Sequence, residues 1–214
     1  VVRYPNSWPA VREELKELNM PYHIARGNHD GELEVFEKMF GSSYKKFNLK
    51  NDLFIVLDPN LDKWNISGTQ LDFLKKTLNE DGKKASNIFI FMHQVIWWSK
   101  DKANFKNTRP NSLQNRDSIP NYWTTLKPLF VKQKKPIYLM AGDLGAFSKP
   151  KKKEIIEYSF QEEENITYIT TGMGGGVRDN FVIVDVYNDD TVKYRLIHLN
   201  GDDINGLGEL KSNQ

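Results

Sequence analysis

The sequence predicts a layered α/β fold, on three observations. Helical and extended patterns alternate through the first half, as they do when helices cover a sheet. In the last third, over residues 165–199, strand follows strand, which points to a second, largely antiparallel sheet. Between them lies Ile88-Phe89-Ile90-Phe91-Met92, an unbroken apolar run. A run of that length suits a strand buried on both faces.

The elements follow in order. Residues 7–18 read as a helix, with Ser7 as cap, Pro9 in the first turn, and Trp8, Val11, Leu15 and Leu18 at helical spacing. A short strand is expected over 21–26, followed by the polar turn Gly27-Asn28-His29-Asp30-Gly31. Residues 32–40 read as a second helix, stopped by Gly41. A hairpin is expected over 44–49 and 53–58 around Asn51-Asp52. Residues 67–78 form an amphipathic helix with Leu71, Leu74 and Leu78 on one face. The strand over 87–93 ends in His93. Residues 99–120 are polar and aperiodic, a long loop of the kind that is uncommon without a function. A helix over 122–131 and a strand over 136–140 lead into Ala141-Gly142-Asp143. The remaining strands are expected over 165–170, 181–187 and 192–199, with Asp189-Asp190 turning the last pair. No internal repeat or linker divides the chain. One domain is expected over residues 1–200, with a polar tail at 201–214.

Composition narrows the chemistry. The 214 residues carry a net charge of +2, which argues against a dedicated nucleic-acid binder. Lysine clusters at 132–135 and 149–153 are either solvated loop charge or an attraction for an anionic substrate. There is no Cys, so any metal must be held by His, carboxylate or amide oxygen, a donor set for hard or borderline ions. No apolar run is long enough to span a bilayer. No secretory signal follows Val1, and the sequence leaves localisation and oligomeric state open.

Gly27-Asn28-His29-Asp30 is the most informative stretch. Gly permits a tight turn after a strand, Asn offers a neutral oxygen ligand, and His can donate a proton or stabilise developing negative charge. Asp beside it can orient the imidazole. The bland alternative is a polar turn with a capping Asp. His93, at the end of an apolar strand, is either a satisfied core residue or a metal ligand. Trp97 and Trp98 either pack the core or line a cleft. Gly172-Met173-Gly174-Gly175-Gly176 lacks the Lys-Ser/Thr of a phosphate loop and reads as a tight loop beside the site. Arg178, just after it, either clamps a phosphate or pairs with a carboxylate.

The word Gly27-Asn28-His29-Asp30 resembles the central signature of calcineurin-like metallophosphoesterases. The resemblance extends to the helix at Gln70-Leu71-Asp72-Phe73-Leu74, to the strand Ile90-Phe91-Met92-His93, and to Tyr138-Leu139-Met140-Ala141-Gly142-Asp143. It implies an α/β/β/α sandwich. It also implies two divalent metals (Mn, Fe, Zn or Mg) activating a water against a phosphate mono- or diester, small or macromolecular. On this resemblance Asn28, His93 and Asp143 are the expected metal ligands and His29 with Asp30 the catalytic pair. Arg178 is the expected substrate contact.

Two departures accompany the match. Nothing before Gly27 resembles the family's Asp-x-His or Gly-Asp-x-x-Asp, so the domain is expected to be partial, without the N-terminal strand-helix portion. The final motif reads Gly142-Asp143-Leu144-Gly145 where the family has Gly-His-x-His. Asp143 can still ligate; Gly145 cannot. The second reading is therefore a catalytically impaired domain of this fold, retained for binding or assembly.

Overall fold

A computed structural model describes residues 7–102, 110–144, 158–172 and 180–198. Its centre is a six-stranded sheet. The strands are β1 (Lys45–Leu49), β2 (Asp52–Val56), β3 (Ile88–Met92), β4 (Ile137–Leu144), β5 (Tyr158–Glu163) and β6 (Ile166–Gly172). They are ordered β1-β2-β3-β4-β6-β5. The pairs β2–β3, β3–β4 and β4–β6 are parallel, and the hairpins at the two edges are antiparallel. A separate antiparallel pair, β7 (Asn180–Val186) and β8 (Val192–His198), forms the second sheet. The layered α/β expectation holds, with the antiparallel pair late in the chain as expected.

Alternation along the central strands separates two faces. Leu53, Ile55, Ile88, Ile90, Ile137 and Leu139 point to one side and are fully buried. They pack with Leu74 and Leu78 of the helical layer and with Trp97, Tyr122 and Phe130. Each such burial stabilises the fold by about 1.5–3 kcal/mol. Trp97 is thus a core residue. The helical layer is built from α3 (Gly68–Thr77) and α4 (Lys127–Val131), the latter entered through a π-turn at Tyr122–Leu126.

The opposite face is aromatic. Phe47, Phe54, Phe89 and Tyr138 are successive register partners across β1 to β4. Their rings stack at 4.9, 5.0 and 4.7 Å. His23 stacks on Phe47 at 3.9 Å and Tyr194 of β8 meets Tyr138 edge-on at 6.0 Å, extending the row at both ends. A groove of about 440 Å³ lies over the middle of this face, lined by His23, Ala25, Phe54, Phe91, Met140 and Val182 among others.

Several sequence expectations need correction. The first helix, α1 (Trp8–Leu15), ends three residues early, and the Ser7 side chain makes no capping bond. Only Trp8 of its apolar stripe is buried, against Phe36 of α2 (Leu33–Phe40); Leu18 is exposed. A helix needs a surface for every apolar residue of its stripe, and Leu18 has none. Residues 21–26 join neither sheet. Strand pairing is a tertiary property, so an apolar pattern alone does not create it. Strand β5 was missed because Gln161, Glu162 and Glu163 hide its alternation. The expected loop over 99–120 contains a 3-10 turn at Leu113–Asn115. By contrast Gly41 does end α2, at φ 75°, its N–H donating to the Glu37 carbonyl at 2.9 Å. Among the described residues no helix is long and apolar enough to cross a membrane.

Candidate functional site

The carboxyl-terminal ends of parallel strands are where an α/β sheet ordinarily presents its chemistry. Three segments meet there: the turn at 27–31, the residues after β3, and the end of β4. The Gly27 turn is closed locally. Asp30 Oδ2 accepts the Gly27 N–H at 2.7 Å, and the Asp30 N–H donates to the Gly27 carbonyl at 3.2 Å. The Asp30 carboxylate, nearly buried, is therefore engaged on the turn's own backbone, and no hydrogen bond joins it to the His29 ring among the described residues. Trp8 Nε1 donates to the Asp30 carbonyl at 3.2 Å, anchoring the turn from below. His29 projects into solvent.

A buried polar network ties this turn to the rest of the site. Arg26 donates through Nη1 to Asp58 Oδ2 at 3.0 Å and through Nη2 to the Gly31 carbonyl at 2.9 Å. The Asp58 side chain is fully buried. Asn60 Nδ2 donates to both Asp58 Oδ1 and the Arg26 carbonyl, each at 3.0 Å. Gln94 Nε2 donates in turn to Asn60 Oδ1. Gln70 of α3 clasps the Asp58 backbone from the other side, at 2.7 and 3.1 Å. A buried charge needs such partners to be tolerated. The network spans the turn, the end of β2 and the residue after His93.

His93 is packed between two glycines. A Cβ on Gly27 would stand 3.2 Å from three atoms of the imidazole. The Gly142 N–H donates to the His93 carbonyl at 3.1 Å. A side chain at 27 would therefore crowd the ring, which would have to shift to admit it. His93 Nε2 lies 2.9 Å from Asn28 Oδ1 and 3.7 Å from Asp143 Oδ1. Two oxygens from distant parts of the chain therefore face one ring nitrogen. Burial lowers the imidazole pKa; nearby Asp30 opposes this, His29 adds to it and Asp58 opposes it. A neutral ring is the form that ligates metals.

Asp143 sits at a bulge in β4, where the register with β6 shifts between Ala141 and Leu144. Its φ of 59° is in the left-handed region, and a bulge of this kind re-aims a side chain. Ser112 Oγ donates to Asp143 Oδ2 at 2.6 Å, and the Ser112 N–H approaches the same oxygen at 3.4 Å. Burial raises the Asp143 carboxyl to about 6, against the lowering effect of these bonds.

The structure thus brings Asn28, His93 and Asp143 together, with His29 and Asp30 on the adjoining turn. Arg178, Gly145, residues 173–176, the lysines at 149–153 and the tail at 201–214 lie outside the described residues. Trp98 is occupied by the Arg116 guanidinium, 5.0 Å from its ring. Sequence reasoning missed Arg26, Asp58, Asn60, Gln94 and Ser112. The one available signal was opposite charge at two strand ends, Arg26 and Asp58; Ser112 has none, lying in an aperiodic stretch.

The donor set fits one divalent ion. An amide oxygen, an imidazole nitrogen and a carboxylate oxygen suit a hard or borderline cation whose remaining positions are filled by water. Among the described residues no group of three or more His, Cys, Asp and Glu side chains forms a cluster for a cation.

Comparisons with known proteins bear on the family. A search of curated proteins gives no match. Among solved structures, the chain is similar to a purple acid phosphatase isolated from yellow lupin (Lupinus luteus) seeds, with a TM-score of 0.53 at 14% identity. The match covers 86% of this chain and 35% of the lupin chain; at that identity it speaks for the fold alone. The family model described as calcineurin-like phosphoesterase matches residues 3–172, which takes in the Gly27 turn, His93 and Asp143, and so the chain belongs to the calcineurin-like phosphoesterase family.

Proposed function

We propose that this chain forms the substrate-facing part of a divalent-metal-dependent phosphoesterase that hydrolyses a phosphate mono- or diester. The observation that carries the reading is the approach of Asn28 Oδ1 and Asp143 Oδ1 to the same nitrogen, His93 Nε2. A divalent ion bound there would set positive charge against the phosphoryl oxygens and make a nearby water more acidic. Asn28 and His93 contribute neutral donors, and Asp143 contributes the compensating charge. Asp30 holds the turn closed, which fixes where His29 stands. His29, exposed beside the three donors, would hold a proton for the departing ester oxygen or stabilise charge on the phosphoryl group.

The test is Mn²⁺ binding by EPR titration together with hydrolysis of p-nitrophenyl phosphate and bis(p-nitrophenyl) phosphate. His93→Ala is expected to lower both binding and turnover by at least about 100-fold, since loss of an outer partner alone costs 10–100-fold. His29→Ala is expected to lower turnover about 100-fold and leave Mn²⁺ binding within about twofold. Unchanged binding and turnover in His93→Ala would end this reading.

A second reading has its own observation. It is favoured by the residue at 143, an Asp where the family's final motif has a His. A domain of this fold retained for binding would show Mn²⁺ uptake at His93 with no turnover of either ester.

A further inference from the structure

The segment before Ser112 is fastened to the end of β4. Pro110 bridges Leu144 in antiparallel fashion, and the Asn111 N–H donates to the Asp143 carbonyl at 2.7 Å. These contacts place Ser112, 1% exposed, directly against the Asp143 carboxylate. Both Ser112 donors fall on Oδ2, the hydroxyl at 2.6 Å and the N–H at 3.4 Å. Oδ1 is the oxygen that faces His93 Nε2, at 3.7 Å; the Asn111 N–H also bears on the carboxylate. The two oxygens of one carboxylate are thereby given different tasks.

We infer that Ser112 is a positioning residue that occupies Asp143 Oδ2 and so presents Oδ1 alone to the cation held with Asn28 and His93. The inference rests on the metal-site reading above. Without Ser112 the carboxylate can rotate about its Cβ–Cγ bond and offer both oxygens or turn from the ring nitrogen. With Ser112 it is a one-oxygen ligand. That distinction has a consequence for ion choice. Ca²⁺ accepts two-oxygen carboxylates in a large, flexible shell, whereas smaller ions hold a compact shell with tighter geometric demands. Ser112 therefore favours Mn²⁺ over Ca²⁺ at this site. A serine that merely latched the loop to β4 would affect stability and leave the ratio of the two affinities unchanged.

The experiment measures Mn²⁺ affinity by EPR, and Ca²⁺ affinity by competition against Mn²⁺, for the wild type and for Ser112→Ala, Ser112→Thr, Asp143→Asn and the double variant Ser112→Ala/Asp143→Asn. Ser112→Ala is expected to weaken Mn²⁺ about 10-fold, in the range for loss of an outer partner, and to lower the Mn²⁺/Ca²⁺ affinity ratio. Ser112→Thr, which keeps the hydroxyl, is expected to restore Mn²⁺ affinity to within about threefold. The double variant is expected to match Asp143→Asn alone, because Ser112 acts through that carboxylate. Should Ser112→Ala fail to fold, Ser112→Cys keeps the shape with a weak donor and is read in the same way. Wild-type affinity and ion ratio in Ser112→Ala, beside lost binding in Asp143→Asn, would overturn the role of Ser112 and leave the metal site standing. Unchanged Mn²⁺ binding in both Asp143→Asn and His93→Ala would overturn the metal site and this inference with it.

Discussion

The two faces of the central sheet are built on different principles. On the helical side, Ile90 and Leu139 sit in an aliphatic core closed by Trp97, Tyr122 and Phe130. On the other side, aromatic rings stack along the register and stay half-exposed at Phe47, Phe54 and Phe91. The first face is stabilised by removal from water on all sides. The second depends on ring-to-ring contact between neighbouring strands, with residues 21–26 and the β7–β8 pair as flanking cover over the groove. One face therefore tolerates no loss of volume, and the other has room.

The sharpest way to break this contrast is volume deletion on each side. Leu139→Ala is expected to destabilise the protein by about 4 kcal/mol, because a fully enclosed leucine leaves a cavity its neighbours cannot fill. The measurement is urea unfolding, with the midpoint shift as readout. Arg26→Met attacks the flanking cover at its anchor. It strands Asp58 as an unpaired buried carboxylate and is expected to cost about 3 kcal/mol. A loss under about 1 kcal/mol would mean that Asp58 is hydrated in solution. Phe54→Ala, on the open face, is expected to cost about 2 kcal/mol, less than the 3–5 typical of enclosed phenylalanines. An equal loss at Leu139 and Phe54 would erase the distinction between the faces.

The smallest effect is electrostatic and lies at the rim where the two faces meet. Burial lifts Asp143 from 3.8 to about 6. Between those values the folded state holds more protons than the unfolded chain, so stability falls as pH rises from about 4 to 6 and stays lower above. Asp143→Asn removes that penalty. It is expected to stabilise the metal-free protein by about 1–2 kcal/mol at pH 7.5 and by little at pH 3.5, as read from thermal midpoints at the two pH values. His93 runs the other way. Its lowered pKa makes stability fall as pH drops below 6.5, so His93→Gln should flatten the profile on the acid side of that value. Because the two slopes oppose each other, each is read from the difference between wild type and its own variant: a difference that stays flat from pH 4 to 7 would place that group in water.

The sequence by itself determined the strands that carry their pattern in unbroken or alternating apolar residues, and the words that mark the site. Ile88–Met92 read as a buried strand, Gly41 read as the end of a helix, and Gly27-Asn28-His29-Asp30 resembled its family's signature before any coordinate. These are local facts: a periodicity, a backbone freedom, a short spacing. Tertiary structure alone decided what depends on partners. Residues 21–26 have a strand's composition and join no ladder, because no element pairs with them among the described residues. Tyr158–Glu163 has a poor strand's composition and pairs fully with β6, because the edge position leaves Glu162 exposed and lets Glu163 meet Lys127 at 2.6 Å. Asp30 caps its own turn, Arg26 finds Asp58 across 32 residues, and Ser112 reaches Asp143 across 31. A hydrogen bond or ion pair between such distant residues leaves no periodic trace in the chain, since only the meeting of separate strand ends creates it.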